Sequence, residues 1–253
     1  MNKKRIDQLL FEKKIVESRT KAQAMIMAGQ IYIDNKQVNK SGQMFRSDAI
    51  ITVKNLNQEW VSRGALKILH ALNIFNIKIY NKNCLDIGAS TGGFTHVLLK
   101  KGAKKIYAVD VGKNQLHENL LKKKQIINIE KTNARYLQSS LIKEKIDIIV
   151  CDVSFISMKK VIKPSLKFLK NKGEVLALIK PQFEAYRKEI KKGVVLEKKI
   201  HNRICSEYKV WFENTCKMKF KGLVESPIKG PKGNTEFLIC SEKTKNILNS
   251  DQQ

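Results

Sequence analysis

The sequence predicts an α/β protein: a mostly parallel seven-stranded sheet covered by helices on both faces, preceded by a small α+β module. Three observations carry this. From residue 84 onward, short apolar runs alternate with helix-spaced segments. One run, Cys84-Leu85-Asp86-Ile87, breaks into Gly88-Ala89-Ser90-Thr91-Gly92-Gly93-Phe94-Thr95, the pattern of strand, glycine-rich turn and helix. Residues 3 to 54 differ, with two helix-spaced segments followed by short strands and turns.

With 253 residues the chain can hold one large and one small domain. The expected division is a small domain at 1–54, a short polar join at 55–61, a large domain at 62–245 and a tail at 246–253. Hydrophobic residues make up 42%, enough to bury a core. Lys and Arg number 49 against 23 Asp and Glu, a formal net charge of +26 that favours a polyanionic partner, either nucleic acid or an anionic membrane. No stretch reaches the roughly 18 apolar residues of a membrane span. The basic start Met1-Asn2-Lys3-Lys4-Arg5 has no apolar core after it, so it does not read as a signal peptide. Five scattered cysteines read as buried thiols in a reducing cytoplasm, with no disulfide set and no metal site.

In chain order, Ile6, Leu9, Leu10 and Ile15 fall on helical spacing, and Ser18 can cap a second helix that Gly29 ends. Ile31-Tyr32-Ile33, Lys36-Gln37-Val38 and Ile50-Ile51-Thr52-Val53 read as strands of a small antiparallel sheet. Ser62 is a candidate cap for the next helix, whose apolar stripe is Leu66, Leu69, Ala71 and Leu72. Lys67 leaves that stripe. Strands follow at 84–87, 106–109, 126–129, 146–151 and 174–179, with helices near 161–169 and 198–212 and closing strands at 220–224 and 236–240. Asp86, Asp110, Asp152 and Lys180 fall at strand ends. Ligands of open α/β sheets bind at the carboxyl ends.

A lysine at the end of a buried strand is costly unless paired. Asp152 can pair Lys180, and Lys67 and Glu236 can supply a second lysine and a second carboxylate. On the residues alone, two structural salt bridges and a catalytic set are equally open.

Four resemblances add to this reading. Arg5, Asp7, Ser18, Arg19, Ala22, Ile26, Gly29, Val38, Asp48 and Val53 resemble the RNA-binding module first seen in ribosomal protein S-four. That implies phosphate contacts from Arg5, Arg19, Lys21, Lys36 and Lys40, with Arg63 beside them at the head of the next domain. The order Asp-x-Gly-x-x-x-Gly-Gly is not the dinucleotide fingerprint, because Gly88, Gly92 and Gly93 lie too far apart. It resembles the S-adenosylmethionine (SAM) turn of Rossmann-like class I methyltransferases. The resemblance implies that Asp86, Gly88, Ser90, Thr91, Gly92, Gly93 and Phe94 line the cofactor, that Asp110 holds its ribose, and that Asn133 and Ala134 flank the adenine.

Lys67, Asp152, Lys180 and Glu236 resemble, in order, the Lys-Asp-Lys-Glu tetrad of FtsJ-type ribose 2'-O-methyltransferases. Ser62-Arg63-Gly64, Cys151-Asp152-Val153-Ser154-Phe155-Ile156-Ser157, Lys180-Pro181-Gln182-Phe183-Glu184 and Gly233-Asn234-Thr235-Glu236-Phe237 resemble the TlyA family. Ala65, Tyr186 and Leu196-Glu197 depart from that family's usual residues. The family resemblance implies methyl transfer from SAM to a cytidine 2'-OH of ribosomal RNA without a metal, and a link to capreomycin susceptibility. The start close to Arg5 leans towards the family's shorter type, which acts on the large subunit, with the small subunit left open. The rivals are a membrane-active haemolysin and a non-catalytic RNA-binding protein.

Overall fold

A computed structural model describes residues 3–27, 29–34, 36–53 and 60–244. The chain divides into two units at Ser62/Arg63. Most of the expected join (55–59) and all of the expected tail lie outside the described residues.

The first unit runs β1 (Lys3–Arg5), α1 (Ile6–Glu12), α2 (Arg19–Met27), β2 (Ile31–Ile33), β3 (Lys36–Gln37), β4 (Met44–Arg46) and β5 (Ile51–Val53). Strand β2 pairs antiparallel with β3 and β5, as the strand and turn pattern predicts. A second ladder, β1 with β4, is not legible in the sequence, because three residues a side carry no alternation. Ile6, Leu9, Leu10, Ala22, Ile26 and Ile31 form the core. Ser18 Oγ accepts the Lys21 N–H at 3.1 Å, the expected cap of α2.

Asp7 is a charge inside this core, fully buried. Its carboxylate accepts from Arg5 Nε and Nη2 (both 3.0 Å), Arg19 Nη2 (3.1 Å) and Gln23 Nε2 (3.1 Å). The Arg5 hydrogen bonds, against burial, hold the carboxyl far below the usual carboxylate range. Its stabilising contribution is therefore present at neutral pH and lost only as pH falls through that depressed value.

In the second unit, α3 (Gly64–Ile74) precedes β6 (Asn83–Ile87), α4 (Gly93–Lys100), β7 (Lys105–Val109), α5 (Glu118–Leu121) and β8 (Ile126–Ile129). After these come β9 (Ile146–Cys151), α6 (Lys159–Ser165), β10 (Leu169–Ile179), α7 (Lys198–Val210), β11 (Met218–Glu225) and β12 (Phe237–Lys243). The seven strands lie in the order β11-β12-β10-β9-β6-β7-β8. Strands β8, β7, β6, β9 and β10 are parallel, and β12 runs antiparallel to both β10 and β11. The chain moves outward from β6 to β8, then returns to β9 on the other side of β6. That reversal opens a crevice at the carboxyl ends of β6 and β9.

Helix α3 corrects the sequence reading. Its buried face is Ala65, Lys67, Ile68, Ala71 and Leu72, whereas Leu66 is exposed. Apolarity alone favours Leu66. The packing instead turns Lys67 inward, where a carboxylate waits. Arg63, not Ser62, is the residue that precedes the helix, and no side chain caps it. Strand β10 begins earlier than expected, at Leu169, with an irregular register before Glu174. All five cysteines are free thiols, three of them buried in strands. Burial pushes Cys84 and Cys240 up to about 12.

Candidate active site

Four elements deliver the charged residues to one end of the sheet. Strand β9 ends at Cys151 and hands over to Asp152, and β10 ends at Ile179 and hands over to Lys180. Ile179 pairs with Phe237 at the start of antiparallel β12, so Glu236 arrives at the level of Lys180. Helix α3 contributes Lys67 from its buried face.

The side chains meet as two ion pairs. Lys67 Nζ lies 2.6 Å from Glu236 Oε2, and Lys180 Nζ lies 2.5 Å from Asp152 Oδ1. Glu236 is fully buried, and Lys67 and Lys180 are each 8% exposed. Charges this deep require close partners. Ser154 Oγ accepts a hydrogen bond from Lys180 Nζ at 2.9 Å. Gln182 Nε2 donates to Glu236 Oε1 at 3.2 Å, so the residue two after Lys180 holds the carboxylate that binds Lys67. Gly230 makes room for this: a Cβ there would stand 2.1 Å from Glu236 Oε1.

The glycine-rich turn sits on the same edge. Gly88 has φ +83, and a Cβ on it would come 2.5 Å from the Asp152 carbonyl oxygen, so only glycine lets the end of β6 pass this close to the end of β9. Gly92, with φ +96, opens α4. Asp110 Oδ2 accepts the Ser90 N–H and Oδ1 accepts the Gly112 N–H, each at 2.8 Å. A carboxylate accepts about four hydrogen bonds, so each oxygen keeps capacity for a sugar hydroxyl. The Thr132 N–H reaches the Asp110 carbonyl at 2.9 Å, which brings the Asn133–Ala134 segment alongside. Asn133 is exposed and caps a short turn through Arg135 N–H, while Ala134 is buried. Ser90 and Thr91 are exposed, but the ring of Phe94 packs inside, leaving only its backbone for a ligand. An acidic ribose holder, a positive-φ glycine turn and the exposed Ser90 and Thr91 just before α4 fit SAM.

Asp86 lies beneath that turn, fully buried. Its Oδ2 accepts from Thr95 Oγ1 at 2.6 Å, and its Oδ1 has no partner among the described residues. Burial, only partly opposed by Thr95, pushes the carboxyl up to about 7 from an ordinary 3.8. Between those values the folded state binds more protons than the unfolded one, so this residue makes stability fall as pH rises from 4 to 7. Asp86→Asn keeps an oxygen for Thr95 and carries no charge. By chemical denaturation it should exceed the parent in stability at pH 8 by on the order of 2–4 kcal/mol, with the difference vanishing near pH 4. An unchanged gap across that range would refute the buried-charge account.

Of the residues expected to meet RNA, Arg5 and Arg19 are held on Asp7, with side chains still about half exposed. Lys21, Lys36, Lys40 and Arg63 are exposed. Three residues near the tetrad escaped sequence reasoning: Ser154, Gln182 and Phe155. Phe155 is 91% exposed with φ +64, a conformation that non-glycine residues rarely adopt, and its ring lies 5.0 Å from that of Phe183. Both rings follow tetrad residues by three positions, which is a visible spacing. Nothing in the sequence shows that one of the rings faces solvent.

The fold, the glycine turn and the two ion pairs at the strand ends define a SAM-dependent methyltransferase of class I. The comparisons narrow this. Residues 60–243 match the FtsJ-like methyltransferase family and residues 4–51 match the S4 domain. The chain is 41% identical to Hemolysin A of Brachyspira hyodysenteriae, over 92% of this chain and 98% of that one. It is 34% identical to the 16S/23S rRNA (cytidine-2'-O)-methyltransferase TlyA of Mycobacterium tuberculosis, over 93% and 88%. A solved Streptococcus thermophilus protein described as a hemolysin superposes with a TM-score of 0.75 at 38% identity, covering 97% of this chain and 90% of that one. The chain belongs to the FtsJ-like methyltransferase family, in the TlyA group that joins this domain to an S4 domain. Among the described residues no helix is long and apolar enough to cross a membrane.

Proposed function

We propose that the protein transfers the methyl group of SAM to the 2'-OH of a cytidine in ribosomal RNA. The observation that carries this is the convergence of Lys67–Glu236 and Lys180–Asp152 beside the glycine turn, at the carboxyl edge of the sheet. The M. tuberculosis relative, named for that reaction, supports the choice of acceptor.

SAM supplies an activated methyl group when bound. Gly88, Ser90, Thr91, Gly92, Gly93 and the Phe94 backbone form its bed, with Asp86 supporting the turn from beneath, Asp110 takes the ribose hydroxyls, and Asn133 and Ala134 border the base. A sugar hydroxyl is a weak nucleophile, and Lys180 Nζ, as the neutral amine, takes its proton while Asp152 balances the resulting charge. Asp152 and Ser154 hold that nitrogen in place. Lys67, anchored by Glu236, orients the hydroxyl. Gln182 keeps the two halves in register. Alignment supplies much of the acceleration.

A cytidine held in folded RNA must leave its stack to reach this edge. The exposed ring of Phe155, backed by Phe183, offers the unstacked base a surface. The domain at 1–54 supplies docking through Arg5, Arg19, Lys21, Lys36 and Lys40, with Arg63 assisting, and the domain at 62–245 the chemistry. Mapping 2'-O-methylation on ribosomal RNA from cells with and without the gene tests the proposal. One or more cytidines should lose the mark, and an identical map would refute it.

A further inference from the structure

Two loops of the second unit, 186–194 and 228–234, meet next to Glu236 and carry cations that the tetrad does not use. Asn234 clasps them. It is 2% exposed, its Oδ1 accepts the Val195 N–H at 3.2 Å, and its Nδ2 donates to the Gly193 carbonyl at 3.0 Å and the Pro231 carbonyl at 2.9 Å. Lys191 and Val194 exchange backbone hydrogen bonds at 2.9 Å, closing the first loop. Gly230 N–H closes the second on the Asn234 carbonyl at 2.8 Å. Lys232 Nζ crosses between them to the Lys192 carbonyl at 3.3 Å.

Within this frame two lysines adopt the left-handed conformation, Lys192 at φ 50 and Lys232 at φ 59, each followed by a glycine of positive φ. Asparagine or glycine would sit there at less cost, but Lys14, Lys131, Lys172 and Lys217 share the conformation, so what sets this pair apart is its place beside Glu236. Lys191, Lys192 and Lys232 are exposed, and none forms an ion pair among the described residues, whereas Lys229 nearby is paired with Glu225. Among the described residues no atom beyond its chain neighbours lies within 4 Å of a Cβ built on Gly233, so the backbone beside Lys232 is open to a ligand.

We infer that the clasped loops form a phosphate clamp, with Lys192 and Lys232 gripping the RNA backbone next to the nucleotide being methylated. The inference rests on the proposed RNA substrate. A nucleotide whose 2'-oxygen sits at the tetrad carries a phosphate on either side, and the clasp lies two residues from Glu236. A rigid frame also spares two flexible side chains part of their ordering cost.

The test is Lys192→Asn/Lys232→Asn in the full chain, since asparagine keeps the left-handed turns. With ribosomal RNA from cells lacking the gene, KM should rise at least tenfold. The slope of log affinity against log salt should shrink by about 1–2. SAM affinity measured without RNA should not change. Lys124→Asn, at the opposite edge of the sheet, should leave RNA affinity within twofold. Parental RNA affinity in the double variant, an equal loss from Lys124→Asn, or lost binding to anionic vesicles with RNA binding intact would each overturn the clamp. Weakened RNA binding in the double variant, alongside a parent protein that methylates no ribosomal RNA, would sink the proposed function and leave the clamp standing.

Discussion

Lys180→Ala abolishes methyl transfer, with a fall of at least about a thousandfold, while SAM and RNA still bind. The magnitude follows from losing the group that accepts the hydroxyl proton, worth roughly 10²–10⁴ in rate, together with the anchor of Asp152. The fold should survive: trimming Lys180 to alanine opens space for water beside Asp152 Oδ1, which is buried only while the lysine covers it, on a side chain 20% exposed. Lys180→Arg separates two roles. Arginine keeps a positive charge at the position but cannot give up a proton at neutral pH. If Lys180 serves as the base, the arginine variant is as inactive as the alanine variant. Substantial turnover by Lys180→Arg would reduce the residue to an electrostatic support, and unchanged turnover by Lys180→Ala would remove it from the reaction.

Gly230→Ala cuts turnover by about a hundredfold without touching any charged group. The backbone at Gly230 is ordinary extended chain (φ −73, ψ −173), so alanine is not strained there. The effect is steric: the new carbon would stand 2.1 Å from Glu236 Oε1 and 2.5 Å from its Cδ. Glu236 must then swing off Gln182 or Lys67, and a displacement near 1 Å in such a constellation costs on the order of 10² in rate. The overpacking should cost about 1–3 kcal/mol of stability, visible in a thermal melt. Near-parental turnover, or a protein that no longer folds, would show that Gly230 does not act by spacing Glu236.

Much of the site is legible in the sequence because strand ends are legible. Three apolar runs hand over to the residue that the edge presents, so Asp110, Asp152 and Lys180 can be placed from local pattern alone, whereas Asp86 lies inside β6 and is fully buried. Gly88 is legible for the same reason, since its spacing after Asp86 marks a sharp turn. The inward face of α3 is not. Leu66 and Lys67 sit side by side, and hydrophobicity favours the wrong one. Only the carboxylate brought in by β12, 169 residues further along, makes the buried position of Lys67 favourable. The same holds for Asp7, which becomes a core residue because Arg5, Arg19 and Gln23 close around it.

The sequence by itself determined the alternation of strands and helices from residue 84 onward, the two-part division it predicts, the glycine turn and most of the residue types at the strand ends, because these depend on neighbours within a few positions. The tertiary structure alone decided that Lys67 points inward, that Gln182 links the two ion pairs, that Phe155 faces solvent, and that Asn234 joins two basic loops. Those outcomes are pairings between distant segments. Their energy comes from desolvating a charge or an amide and satisfying it across the fold, which no local pattern encodes.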